Sequence, residues 1–350
     1  MCIRDSGRGA LNENTTANNN TGIGYYSLFS NTTGTQNTAV GAEALNTTTT
    51  GNQNSALGVA ALYANTTGAN NTAIGANALD ANTTADDNTA VGKNALSANT
   101  TGTRNSAVGT QALNDNTTGG YNVSVGYLAM LENTTGEQNV AIGNQALYNN
   151  ETANYNIAIG SNALLRNTTG ATNVAVGYLA LDHNTTASNN VAVGRSALSA
   201  NTTADNNTAI GEGTLQNNTT GSENIALGRA ALNANTTASS NSGLGYFALL
   251  SNTTGTNNTA IGANSLQQNT TANNNTAVGR EALKANTTGA SNTAVGRGAL
   301  QLNTTGQKNT GIGEFGLYNV TTGDYNTAVG VEAGSEITTG SNNVAIGYQA

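Results

Sequence analysis

Apolar and polar positions alternate along this chain with a step of seventeen residues that never slips. Asn139-Val140-Ala141-Ile142-Gly143 recurs as Asn156-Ile157-Ala158-Ile159-Gly160 and again as Asn173-Val174-Ala175-Val176-Gly177. The opening Asn falls at every seventeenth residue from Asn20 to Asn343, giving twenty copies. Numbering one unit 1 to 17 from that Asn, position 2 is Thr, Ser, Val or Ile, position 4 is always Val, Ile or Leu, and position 5 is always Gly. Position 3 is Ala except at Gly22, Ser124, Gly243 and Gly311. Position 8 is nearly always Ala, and position 9 is Leu apart from Met130 and Gly334. Most units then run into Asn-Thr-Thr-Gly or Asn-Thr-Thr-Ala, as at 65–68, before two further residues close them. A strict period of this length marks units that bury their apolar face only by stacking on their neighbours.

Positions 1 to 4 read as a short β-strand, β-branched and bounded by turn residues. Side chains alternate across a strand, so positions 2 and 4 share one face and position 3 takes the other. A column of aliphatic residues at position 4 belongs in the coil interior, with Val123, Val140, Ile157, Val174 and Val191 at position 2 beside it. Leu at position 9 fills the opposite wall, and Gly at 5 with Gly or Ala at 15 supplies tight corners. A helix is excluded because two glycines and the Asn-Thr-Thr break leave too short a run. The pattern therefore predicts an all-β chain, a parallel β-solenoid (β-roll) of about twenty 17-residue coils. Twenty coils about 4.8 Å apart make a rod on the order of 95 Å long. The position 1 residues, Asn122, Asn139, Asn156, Asn173 and Asn190 among them, are expected to stack as an amide ladder.

On this reading position 3 faces away from the interior yet holds only small residues. That restriction predicts a close chain–chain contact through Ala141, Ala158, Ala175 and Ala192, because a strand apolar on both faces is buried on both. Compositional bias within the repeat is the alternative. Residues 1–6 do not fit the period and read as a foreign leader, whereas 7–350 is one continuous array that starts and stops in mid-unit, as an internal fragment would.

Asn-Val-Ala-Ile-Gly followed by two variable residues and Ala resembles the head and stalk repeats of trimeric autotransporter adhesins. Similar Asn-Thr-Ala-Val-Gly-x-x-Ala-Leu repeats occur in phage tail-fibre-like proteins. The resemblance covers 7–350 and is specific at positions 1 to 5 and 8; adhesin heads have shorter units, and Leu at 9 with the Asn-Thr-Thr loop lies closer to the tail-fibre group. It implies a homotrimeric rod, an extracellular place on a cell surface or virion, and a role as a structural or adhesive fibre segment. The partners it implies are further copies of the chain and a host-cell receptor, matrix or surface glycan.

Composition narrows the chemistry. The chain has 43 Gly, no Pro, 9% charged residues and a net charge of −8; globular chains carry about 25% charge. The mild acidity leaves no basic patch for nucleic acid. Cys2 is the only cysteine, and no run approaches the roughly 18 apolar residues of a membrane span. The one histidine, His183, sits at a variable position, as do the carboxylates Glu43, Asp86, Asp87 and Glu212. No calcium-roll pattern and no phosphate loop is present. The expectation is no enzyme, no cofactor and no metal.

The Asn-Thr-Thr loop keeps three readings. Its side chains can bond local backbone in a turn. Its seventeen Asn-x-Thr sequences, with Asn65, Asn99, Asn133, Asn167 and Asn218 as examples, can accept N-glycans, which would make a glycosylated extracellular filament or matrix protein. Stacked Thr can present an ice-binding face, although adjacent Thr side chains point opposite ways and give columns one residue wide.

Overall fold

A computed structural model describes residues 4–350. Twenty-one strands of three residues each, from β1 (Arg4–Ser6) to β21 (Val344–Ile346), recur at the seventeen-residue step, and the described residues contain no helix. The chain divides into two compact units, Met1–Asn173 and Val174–Ala350. Each is a parallel β-solenoid. In the first unit Val140, Ala141 and Ile142 pair with Ile157, Ala158 and Ile159. In the second, Val174, Ala175 and Val176 pair with Val191, Ala192 and Val193. Like therefore lies on like, one coil apart.

Hydrogen bonds between coils continue far beyond these strands. Gly143 N–H donates to Val125 O at 2.8 Å, Leu147 N–H to Ala163 O at 2.9 Å, and Thr134 N–H to Glu151 O at 2.9 Å. Residues 4–6 join this scheme, pairing in register with Thr21, Gly22 and Ile23, so their backbone extends the coil although their sequence does not match it. Of the leader expected over 1–6, Met1, Cys2 and Ile3 lie outside the described residues.

The faces of the strand are the reverse of the expected ones. Position 3 points inward: Ala141, Ala158, Ala175 and Ala192 are each 0% exposed within a single chain. Positions 2 and 4 point outward, so the strand Ile157–Ile159 reads exposed, buried, exposed. The reason is volume. A Cβ on Gly22 would lie 3.1 Å from Leu11 Cγ and 3.2 Å from Ser27 Oγ, and one on Gly243 would lie 3.4 Å from Leu232 Cγ. Position 3 thus abuts the Leu at position 9 of the preceding coil and position 8 of its own. Interiors are close-packed, and a slim coil already holding Leu and two buried Asn has room there for a methyl group or, at Ser124, a hydroxymethyl group, and no more. The alanines are small because the coil is narrow, and the expected chain–chain contact through Ala141, Ala158, Ala175 and Ala192 is ruled out.

The corners also differ from the pattern expected. Each coil turns through left-handed backbone at positions 5, 7, 9 and 17, for example Gly143 (φ 138), Gln145 (φ 52), Leu147 (φ 54) and Tyr155 (φ 61). Left-handed conformation costs an L-residue about 1–2 kcal/mol. Burial of the Leu side chain and the intercoil bonds hold it there. Position 5 must be Gly on two counts, since a Cβ on Gly143 would also meet Gly160 O at 2.6 Å.

Candidate functional site

The interior polar groups form two columns that converge on one carbonyl per coil. At position 1, Asn139 Oδ1 accepts the backbone N–H of Asn156 at 2.9 Å, and Asn139 Nδ2 donates to Ala153 O at 2.9 Å. Asn122 and Asn156 repeat this with Gly136 O and Gly170 O, and Asn173 N–H donates to Asn156 Oδ1. In the second unit Asn190 Nδ2 donates to Ala204 O, and its Oδ1 accepts from Asn207 N–H, both at 2.9 Å. The second column is the Asn of the Asn-Thr-Thr loop, at position 12. Asn150 Nδ2 donates to Asn133 Oδ1 at 2.8 Å and to the same Ala153 O at 3.0 Å.

That second column removes the N-glycan reading. Asn65, Asn99, Asn133, Asn167 and Asn218 are all 0% exposed. Their Nδ2 atoms, which a glycan would have to replace a proton on, are spent inside the coil: Asn218 Nδ2 donates to Asn201 Oδ1 at 3.1 Å and Gly221 O at 2.8 Å. Asn65 Nδ2 donates to Gly68 O, Asn99 Nδ2 to Asn82 Oδ1, and Asn167 Nδ2 to Asn150 Oδ1, each at 3.0 Å. A sugar on any of these atoms is incompatible with the closed coil.

Interruptions of the column confirm how it is wired. Position 12 is Thr48, Val320 and Ile337 in three coils, and the buried Oδ1 atoms of Asn31 and Asn303, which face the first two of these from the coil before, have no partner. Of the two threonines, the one at position 13 donates its hydroxyl to the next coil, as Thr117 Oγ1 does to Thr134 O at 3.0 Å. The one at position 14 is exposed. The loop therefore offers a single column of hydroxyls to solvent.

His183 Nδ1 lies 3.1 Å from Ser199 O and 3.0 Å from Asp182 Oδ2, at the surface. Among the described residues no three His, Cys, Asp or Glu side chains gather as a metal site would require, and no helix is long and apolar enough to cross a membrane.

What remains is the outward face of the strands, which sequence reasoning had turned inward. Columns 2 and 4 carry no charged residue in any copy. In the first unit Val123/Val125, Val140/Ile142 and Ile157/Ile159 stack in register as a doubly aliphatic stretch, with Ile142, Ile157 and Ile159 each more than a third exposed. In the second unit Val174/Val176, Val191/Val193 and Ile225/Leu227 do the same, Thr208 being the one hydroxyl among them. Elsewhere, apart from Val344 in the last coil, Thr or Ser takes position 2, as in Thr72-Ala73-Ile74. The signal that could have revealed this face was the same one that misled: position 3 is never larger than Ala or Ser, whereas position 4 is never small. No protein-family model matches this chain, and no curated protein is detectably similar to it.

Proposed function

We propose that this chain is a segment of an extracellular structural or adhesive fibre whose copies associate side by side, three to a bundle, through the outward face of their strands. The observation that supports it is the uncharged surface of columns 2 and 4, aliphatic along all of column 4 and along column 2 in part. Monomeric soluble proteins rarely leave apolar patches beyond a few hundred Å² in water, and larger ones mark association sites. A second copy is the fitting occupant, because it presents identical columns at the same coil spacing of about 4.8 Å. The variable residues at positions 6, 7, 10 and 11 are then left to meet a receptor, matrix or surface glycan on a cell or virion.

Light scattering on the full chain tests the reading. The expected mass is that of a trimer, falling to that of a monomer when Ile142, Ile159, Val193 and Leu227 are all replaced by Lys, with β-type circular dichroism retained. A wild-type chain that is monomeric at micromolar concentration would refute it.

A further inference from the structure

Position 7 projects from the coil in left-handed conformation, and in three coils it is glycine: Gly9, Gly213 and Gly298. At two of these the aromatic residue one coil on fills the vacant space. A Cβ on Gly9 would meet the Tyr26 ring at 2.4 Å, and one on Gly298 the Phe315 ring at 2.7 Å. At Gly213 the next residue in the column is Ala230, and a Cβ would meet nothing nearer than 3.4 Å. The aromatic side chain arrives one coil later, as Phe247. The result is a notch of about 210 Å³ floored by Gly213 and walled by Arg195, Glu212, Arg229, Gln216, Asn233 and Phe247.

Its walls differ in chemistry. On one side Glu212 is shared by two guanidinium groups: Arg195 Nη2 donates to Glu212 Oε1, and Arg229 Nε stands 3.8 Å from Glu212 Oε2. Two cations against one carboxylate leave a net positive charge, with further N–H donors on both forks. On the other side Asn233 Nδ2 donates to Gly213 O at 2.8 Å and to Gln216 Oε1 at 3.2 Å. That leaves Asn233 Oδ1 as an acceptor and Gln216 Nε2 as a donor toward a ligand. Phe247, stacked on Tyr246 with ring centroids 3.9 Å apart, closes the end with an apolar surface.

We propose that this notch binds a single saccharide ring bearing a carboxylate, of the hexuronic acid type. Guanidinium forks match a carboxylate in geometry and charge. The paired amides match the donor and acceptor character of neighbouring ring hydroxyls, and the phenyl surface takes the C–H face of the ring. The volume of the notch suits one ring, since pockets for drug-sized molecules run to about 300–1,000 Å³. An inorganic anion would leave the amides and Phe247 idle. For a ligand of roughly thirteen non-hydrogen atoms in an open site, the expected Kd is on the order of 1 mM.

The test is a ligand-observed NMR titration of the full chain with sodium glucuronate, with glucose and acetate as controls. Gly213→Asn is the blocking variant: Asn already occupies position 7 in left-handed conformation at Asn77, Asn94, Asn162 and Asn264, so the coil accepts it while the side chain fills the notch. Expected are saturation by glucuronate in the millimolar range, at least tenfold weaker binding of glucose and acetate, and loss of binding in Gly213→Asn with circular dichroism unchanged. Arg229→Ala should weaken glucuronate while leaving glucose as it was. Glucose binding as well as glucuronate would overturn the role of the carboxylate, and acetate binding as well would reduce the site to an anion site. Glucuronate that fails to saturate, or that binds Gly213→Asn undiminished, would overturn the notch itself. Because the site lies within one chain, light scattering on the fibre reading and this titration succeed or fail separately.

Discussion

Replacing Asn139 by Val should cost more than replacing Asn150 by Val, although both are buried asparagines in the same coil. Asn139 serves the backbone. Without its Oδ1 the N–H of Asn156 has no acceptor, and an unsatisfied buried donor costs about 1–3 kcal/mol. The bond from Asn139 Nδ2 to Ala153 O is lost too, at about 0.5–1.5 kcal/mol, although Ala153 O keeps Asn150 Nδ2 as a donor. The sum is about 1.5–4.5 kcal/mol. Asn150 serves side chains. Its loss orphans Asn133 Oδ1, but a carbonyl oxygen without a donor is better tolerated than an N–H without an acceptor, as at Asn303 beside Val320, and Asn167 Nδ2 retains Gly170 O at 2.9 Å, so a cost at the lower end, about 1–2 kcal/mol, is expected. The chain already contains this second substitution, at Val320 beside Asn303, whereas position 1 is Asn in all twenty copies. A stacked array unfolds locally and not in one step, so the assay is native-state hydrogen exchange at the amides of coils 139–173. At 1.4 kcal/mol per tenfold, Asn139→Val should lower protection of the Asn156 amide by roughly 10- to 1,600-fold, and Asn150→Val by about 5- to 30-fold. Equal losses in the two variants, or an Asn156 amide still protected in Asn139→Val, would refute the assignment of position 1 as the backbone's acceptor.

Three further outcomes follow from the packing. Gly143→Ala, which needs φ 138 and sets a Cβ 2.6 Å from Gly160 O, should lower stability by about 2–4 kcal/mol. Gly136→Ala should cost less than that, although a Cβ there also approaches Ala153 O at 2.6 Å, because its φ is not left-handed and the next coil accommodates Ala153 at the same position by a small shift; thermal unfolding of the two variants side by side checks this. Ala158→Glu should abolish β-type circular dichroism in its coil, because an unpaired buried charge costs several kcal/mol. Ala158→Ser should be nearly neutral, repeating the bond of 2.8 Å from Ser124 Oγ to Ala129 O. Burial raises the Asp80 carboxyl above its ordinary range, so the folded chain disfavours its ionised form and loses stability as pH rises through the carboxylate range. Asp80→Asn should therefore raise the thermal midpoint at pH 7 and leave it unchanged at pH 3.

The seventeen-residue step, the absence of helix, the position of each strand and the parallel stacking of like on like were all legible in the residues themselves, because a coil that repeats must place equivalent side chains in equivalent surroundings. Which way each strand faces was not. Alternation says only that position 3 opposes positions 2 and 4, and here both faces are apolar, so hydrophobicity cannot choose between Ala141 and Ile142. The choice was made across the coil by Leu147 and its equivalents. Their side chains, with two columns of asparagine, fill a cross-section too narrow for a branched residue at position 3, so the bulkier side chains were pushed to the outside. The same closure drew Asn65 and Asn133 into the core, although Asn-x-Thr reads as a surface loop. Left-handed backbone at Leu147 was likewise invisible, for nothing in a leucine's own preferences asks for it. The repeat follows from local chemistry that every coil shares, whereas the inside and the outside exist only once the coil has closed and its volume is shared out.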